Sequence, residues 1–102
     1  MSNVVHPAMT LDDVVHQRVR LGILTILNET TTASFTFLRD ALSQSGGNLS
    51  QHLGVLERHQ FVKIAKEFRS NKPHTTVRIT PAGRRATEAE LAALRQLSSP
   101  PS

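Results

Sequence analysis

Between Gly47 and Arg58 the chain sets Asn48, Ser50, Gln51, His52, Val55 and Arg58 among the leucines Leu49, Leu53 and Leu56, which are spaced four and three apart. That leucine spacing defines one face of a helix. At about 100° per residue, Gly47, Gln51, Gly54 and Arg58 then fall on the opposite side, flanked by Asn48, Ser50 and Val55. Asn and Gln match the donor and acceptor on an adenine edge, Arg suits guanine or a phosphate, and Ser serves either. The chemistry implied is reversible reading of duplex DNA from the major groove. An ordinary wet helix surface carries similar residues, so the assignment depends on the elements around it. His52 lies beside the leucine stripe, where a packed or capping role competes with DNA contact.

A second cluster follows. From Phe61 to Arg85 the chain carries Lys63, Lys66, Arg69, Lys72, Arg78, Arg84 and Arg85 against the single acid Glu67. Lys66 and the polar run Arg69, Ser70, Asn71 and Lys72 suit contacts to sugar-phosphate or to the minor groove, which position a protein without reading sequence. Charge that protects an exposed strand edge is the alternative, and both can hold together. The overall formal charge of +4 and pI near 10.7 favour an anionic partner without choosing one. Gly46 and Gly47 either form a turn or bring free amides to a phosphate at a helix start.

Other chemistries lack parts. Cysteine is absent, and His6, His16, His52, His59 and His74 are scattered, none with a carboxylate at ligand spacing. No metal and no cofactor are expected. Asp12 and Asp13 point in different directions on a helix and suit its positive end, and there is no glycine-rich phosphate loop or nucleophile motif, so the chain does not read as an enzyme. No apolar run approaches the roughly 18 residues that span a bilayer, and the start MSNVVHPAMT lacks a signal-peptide pattern. A cytoplasmic protein without a membrane partner is the expectation. A small-molecule effector is compatible with the sequence, although no polar cluster inside an apolar segment marks a pocket.

The elements that must hold these residues follow from periodicity. Residues 1–10 read as an arm. Leu11 to about Asn28 has helical spacing, and residues 29–33 read as a loop leading to a short strand at Ser34 and Phe35. Thr36 is the expected N-cap of a brief helix to Leu42 that presents Phe37, Leu38, Ala41 and Leu42 to a core. A turn over residues 44–47 precedes the helix 48–60. The period then changes to two, giving a hairpin wing over 61–79. Thr80 and Pro81 supply an N-cap and a first-position proline for a last helix whose Ala86, Ala89, Ala93, Leu94 and Leu97 suit a partner. Residues 98–102 read as a disordered tail. The fold class is mainly α with a small β-hairpin (α+β), as one domain over residues 11–97. At 102 residues its aliphatic core is thin, which favours dimerisation.

Helix, short helix, turn, helix, hairpin and helix is the order of a winged helix-turn-helix with an extra C-terminal helix. LDDVVHQRVRL from Leu11, FTFLRDAL from Phe35, GNLSQHL from Gly47, the pair Leu56 and Glu57, and TPAG from Thr80 together resemble the small winged-helix regulators related to the MarR and ArsR groups. The resemblance implies a homodimeric regulator, commonly a repressor, on a palindromic operator in double-stranded DNA. It places Asn48, Ser50, Gln51 and His52 on the recognition helix and Arg69 to Lys72 on the wing. It also implies dimerisation through the first helix with its arm, including Val4, Val5, Leu11 and Val15, and through the last helix. Two positions depart from the pattern: Gly54 replaces a common basic residue, and Gln60 stands where glycine is usual. The rival reading is a winged helix used for protein interaction without specific DNA binding.

Overall fold

The computed structural model describes the backbone of residues 11–98 and the side chains of residues 16–97. The arm, with Val4 and Val5, the side chains of Leu11 and Val15, and residues 99–102 lie outside the described residues. The chain forms α1 (Leu11–Thr30), β1 (Thr32–Ser34), α2 (Phe35–Ala41), α3 (Gly46–Arg58), β2 (Val62–Arg69), β3 (Lys72–Ile79) and α4 (Pro81–Ser98). This is the expected α+β winged helix-turn-helix. The leucine, isoleucine and valine faces meet in one core: Ile23, Leu24 and Leu27 from α1, Leu38 from α2, Leu49, Leu53 and Leu56 from α3, and Val62, Val77 and Ile79 from the hairpin.

Two helix starts differ from the sequence-based expectation, and in both cases the capping hydroxyl decides. Ser34, not Thr36, caps α2 by accepting the Phe37 N–H at 3.1 Å. The strand accordingly lies at Thr32–Ser34, and Phe35 turns onto the core while Phe37 is left 54% exposed and Ala41 faces outward. Ser45 caps α3 by accepting the Asn48 N–H at 3.1 Å. Gly46 and Gly47 are therefore the first helical turn, and the helix runs two residues earlier at both ends than the expected 48–60.

No described glycine has positive φ. The left-handed positions that end the helices are filled by Thr31, Ser43 and Gln60, at φ 68°, 52° and 65°. At the end of α3, Gln60 N–H donates to Glu57 O and Phe61 N–H to Leu56 O, both at 2.9 Å. That pair of bonds is the Schellman arrangement, in which glycine is preferred because an L side chain crowds its own carbonyl. The left-handed Thr31 at the end of α1 is held from α4, where Arg84 donates to Asn28 O at 2.8 Å, to Asn28 Oδ1 and to Thr31 Oγ1. A cation at the negative end of α1 is also favourable to the helix dipole.

The sheet has the order β1-β3-β2, all antiparallel. The hairpin spans nearly the expected 61–79, but its strands stay paired up to Arg69↔Lys72, so that the tip is a two-residue turn. Ser70 and Asn71 both have positive φ, which matches the type I′ turn that suits strand twist. Glu57 accepts the Ile64 N–H of edge strand β2 at 3.1 Å. α4 starts on Thr80, whose hydroxyl accepts the Gly83 N–H at 2.9 Å and donates to Gln60 O at 2.7 Å. A Cβ at Gly83 would collide with the Phe61 carbonyl oxygen and lie 2.8 Å from Ile79 Cγ1.

Two substitutions test these backbone assignments. Gln60→Gly should stabilise the fold by about 0.5–1 kcal/mol, because relief of the left-handed crowding exceeds the entropy glycine loses. Gly83→Ala should destabilise it by about 1–3 kcal/mol, since backbone rather than a flexible side chain must move. Thermal unfolding followed by circular dichroism checks both, at about 4–8 °C per kcal/mol for a domain of this size.

Candidate nucleic-acid interface

α3 turns Leu49, His52, Leu53 and Leu56 into the protein. Gly47, Asn48, Ser50, Gln51 and Arg58 are exposed. Gly54 sits low on this outer face: a Cβ there would lie 3.7 Å from Arg58 Nη1, in ordinary contact. On the wing side, Ser50 and Gly54 share a cleft of about 300 Å³ with Phe35, Leu53, Ile64, Lys66 and Thr75. The structure thus brings Lys66 beside the polar face of α3. Arg69, Ser70, Asn71 and Lys72 form an exposed tip, where Arg69 Nη2 meets Glu67 Oε1 at 3.3 Å.

Two members of the expected set lie elsewhere. His52 is 4% exposed and faces α1, where Arg20 Nε donates to its Nδ1 at 3.2 Å and the His16 ring stands edge-on at 5.2 Å. It is a packed residue behind the outer face, as its place beside the leucine stripe allows. Burial, then the Arg20 cation, then His16 hold its pKa below the ordinary 6.5. Val55 is half-buried and lines a groove of about 750 Å³ between α1, α3 and α4, with Leu21, Leu24, Phe61, Ala86 and Leu94. Ala86, expected to meet a partner, faces this groove within its own chain.

The basic run also divides. Arg84 is engaged with the end of α1. Lys63 and Arg78 are cross-strand neighbours and exposed, on the face of the hairpin opposite the buried Val62, Val77 and Ile79. Only part of the positive charge therefore borders α3. Sequence reasoning missed the partners of Arg20 and Arg84, because each bond joins residues at least 32 positions apart. Among the described residues no group of three His, Asp or Glu side chains could hold a metal ion, and no helix is long and apolar enough to cross a membrane.

A short helix and a polar recognition helix joined by a turn, with a basic hairpin beside them, define a winged helix-turn-helix. The chain belongs to the winged helix DNA-binding domain family, whose pattern it matches over residues 19–98. An uncharacterised protein of Methanocaldococcus jannaschii is 34% identical over 80 residues, covering 78% of this chain and 87% of that protein. Among solved structures, a transcriptional regulator homologue from Pyrococcus horikoshii is similar with a TM-score of 0.74 at 32% identity, covering 85% of this chain and 86% of the other. MepR of Staphylococcus aureus, solved in complex with DNA, shares the fold with a TM-score of 0.69 at 17% identity, covering 86% and 75%.

The buried histidine makes stability depend on pH. The fold disfavours the protonated form of His52, whereas the unfolded chain takes up its proton near 6.5. Its contribution is complete above that value and is lost as the pH falls toward the lower folded-state pKa. Urea midpoints measured between about pH 8 and about pH 5 should fall more steeply for the parent than for His52→Gln, which keeps an acceptor for Arg20 and does not titrate. Equal slopes would show that His52 is not the group responsible.

Proposed function

We propose that this chain is a sequence-specific, double-stranded DNA-binding transcriptional regulator, a repressor that sits as a homodimer on a palindromic operator. The observation that carries this reading is the exposed polar face of α3 with Lys66 of the wing at its side. In this reading Gln51, Asn48, Ser50 and Arg58 meet base edges and neighbouring phosphates from the major groove, with Gly47 and Gly54 allowing close approach. Lys66 and the tip residues Arg69, Ser70, Asn71 and Lys72 meet the backbone or the minor groove. Repression is the expected sign because a dimer across an operator obstructs other proteins there.

Support for the dimer comes from α4. From Glu88 to Leu97 only Leu91 is even half-buried, and Ala89, Ala93 and Leu97 are presented away from the core, with Leu97 82% exposed, while Leu94 borders the groove within its own chain. Apolar side chains in that state are stabilised by a second copy, with the arm and α1 completing the contact. The groove beneath Val55 and Leu94 is within the usual volume for a small molecule, and an effector there would act on α3 and α4 together.

Selection from random duplexes, followed by titration of the winner at two salt concentrations, tests the reading. The expected result is a palindrome with steep salt dependence, held about 10³-fold or more tighter than random duplex. Recovery of nothing by a folded protein would favour a protein-interaction module. On the selected site Gln51→Ala should cost about 1–3 kcal/mol and relax preference at one position. Lys72→Ala should weaken all sequences alike. Sedimentation should show a dimer, whose recognition helices stand about 34–36 Å apart; a monomer at micromolar concentration would overturn that geometry.

A further inference from the structure

The wing carries an exposed apolar pair near its tip. Phe68 on β2 is 77% exposed, and its cross-strand partner Pro73 is exposed as well. A lone exposed Phe is ordinary. Its position here is more specific, because strand alternation sets Phe68 and Pro73 on the same sheet face as Lys66 and Thr75. Those two residues border α3 in the cleft with Ser50 and Gly54. The face of the wing that adjoins α3 therefore ends in an apolar pair, with Lys66 before it on that face and Arg69 and Lys72 one register further on, on the opposite face.

The reach fits DNA. Phe68 lies four residues beyond Ile64, about 13 Å along an extended strand. The major groove is about 12 Å wide, so with α3 seated in it a strand of that length is long enough to bring Phe68 to the phosphate ridge and the minor groove beyond it. The type I′ turn and the fixed φ of Pro73 restrain the tip, so little ordering remains for binding to complete. An apolar tip flanked by cations matches a groove whose walls are apolar deoxyribose and whose rims are phosphate.

We propose that Phe68, backed by Pro73, is an apolar wedge that enters the minor groove flanking the α3 site. The proposal rests on the DNA-binding reading and adds a contact to it that is not ionic. Burial of the ring contributes to affinity on every sequence and releases no counterion, unlike the lysines around it.

The chain contains no Trp and no Tyr, so Phe68→Trp places a single indole at the tip without touching the core. With the duplex recovered by selection as the probe, its emission should shift to the blue and its quenching by acrylamide should fall when DNA saturates the protein. Phe68→Ala should weaken binding about tenfold with the salt slope unchanged. Phe68→Leu should recover most of that loss, and Lys72→Ala should reduce the slope by about 0.9. An indole that stays as quenchable as in the free protein, or parent-like affinity in Phe68→Ala, overturns the wedge alone and leaves the tip to a protein partner. A parent protein that binds no duplex overturns the DNA reading and the wedge with it.

Discussion

The first turn of α4 rests on the end of α3 so closely that position 83 has no room for a side chain. The Phe61 carbonyl accepts the Thr80 N–H at 3.0 Å, and the Thr80 hydroxyl reaches Gln60 O at 2.7 Å. Val62 and Ile79, the paired residues at the root of the wing, are the immediate neighbours of this junction. The recognition helix, the hairpin and α4 are thus joined at a single node. Arg84, one residue further on, carries the same node to the end of α1. Because packed interfaces resist continuous deformation, the angle between wing and α3 follows from these few contacts rather than from the tip residues.

The same arrangement divides polar groups between stability and recognition. His52 and Arg20 satisfy one another behind α3, and Thr87, fully buried, returns its hydroxyl to Gly83 O at 2.7 Å. No buried side-chain polar atom among the described residues lacks a partner. Among the outward side chains of α3, Glu57 is engaged with the wing at Ile64, whereas Asn48, Ser50, Gln51 and Arg58 are exposed to solvent, where another polar partner can replace water. Lys63 and Arg78 are a like-charged cross-strand pair, with Thr32 as the other neighbour of Arg78, and such a pair opposes rather than supports strand pairing.

Glycine is used in this fold for close approach rather than for left-handed turns. The usual inference places glycine at helix ends, where φ is positive. Here non-glycine residues occupy those places, and Gly22 and Gly83 stand where another chain segment approaches, Leu42 Cδ2 lying 3.0 Å from a Cβ at position 22. The odd Gln60 was legible as a departure, since its position in the pattern calls for glycine, yet its left-handed geometry became visible only with the bonds to Glu57 and Leu56. The start of α2 is ambiguous in the sequence because Ser34 and Thr36 are both acceptable caps by type, and their hydroxyls lie 3.2 Å apart.

Element order, the leucine stripe of α3, the cap at Thr80 and the polar face around Gln51 were determined by the sequence itself, because helix and strand periods act over neighbouring residues. Those short-range signals sufficed for the class of fold and for most of the outer face of α3. Tertiary structure alone decided that His52 turns inward to Arg20, that Arg84 secures α1 instead of meeting an anion, and that the wing face carrying Lys66 and Phe68 is the one set beside α3. Each of these depends on how two distant segments meet. A local pattern records which residue types are present and on which face of their own element they lie, but the partner of a long side chain is set by packing across the core.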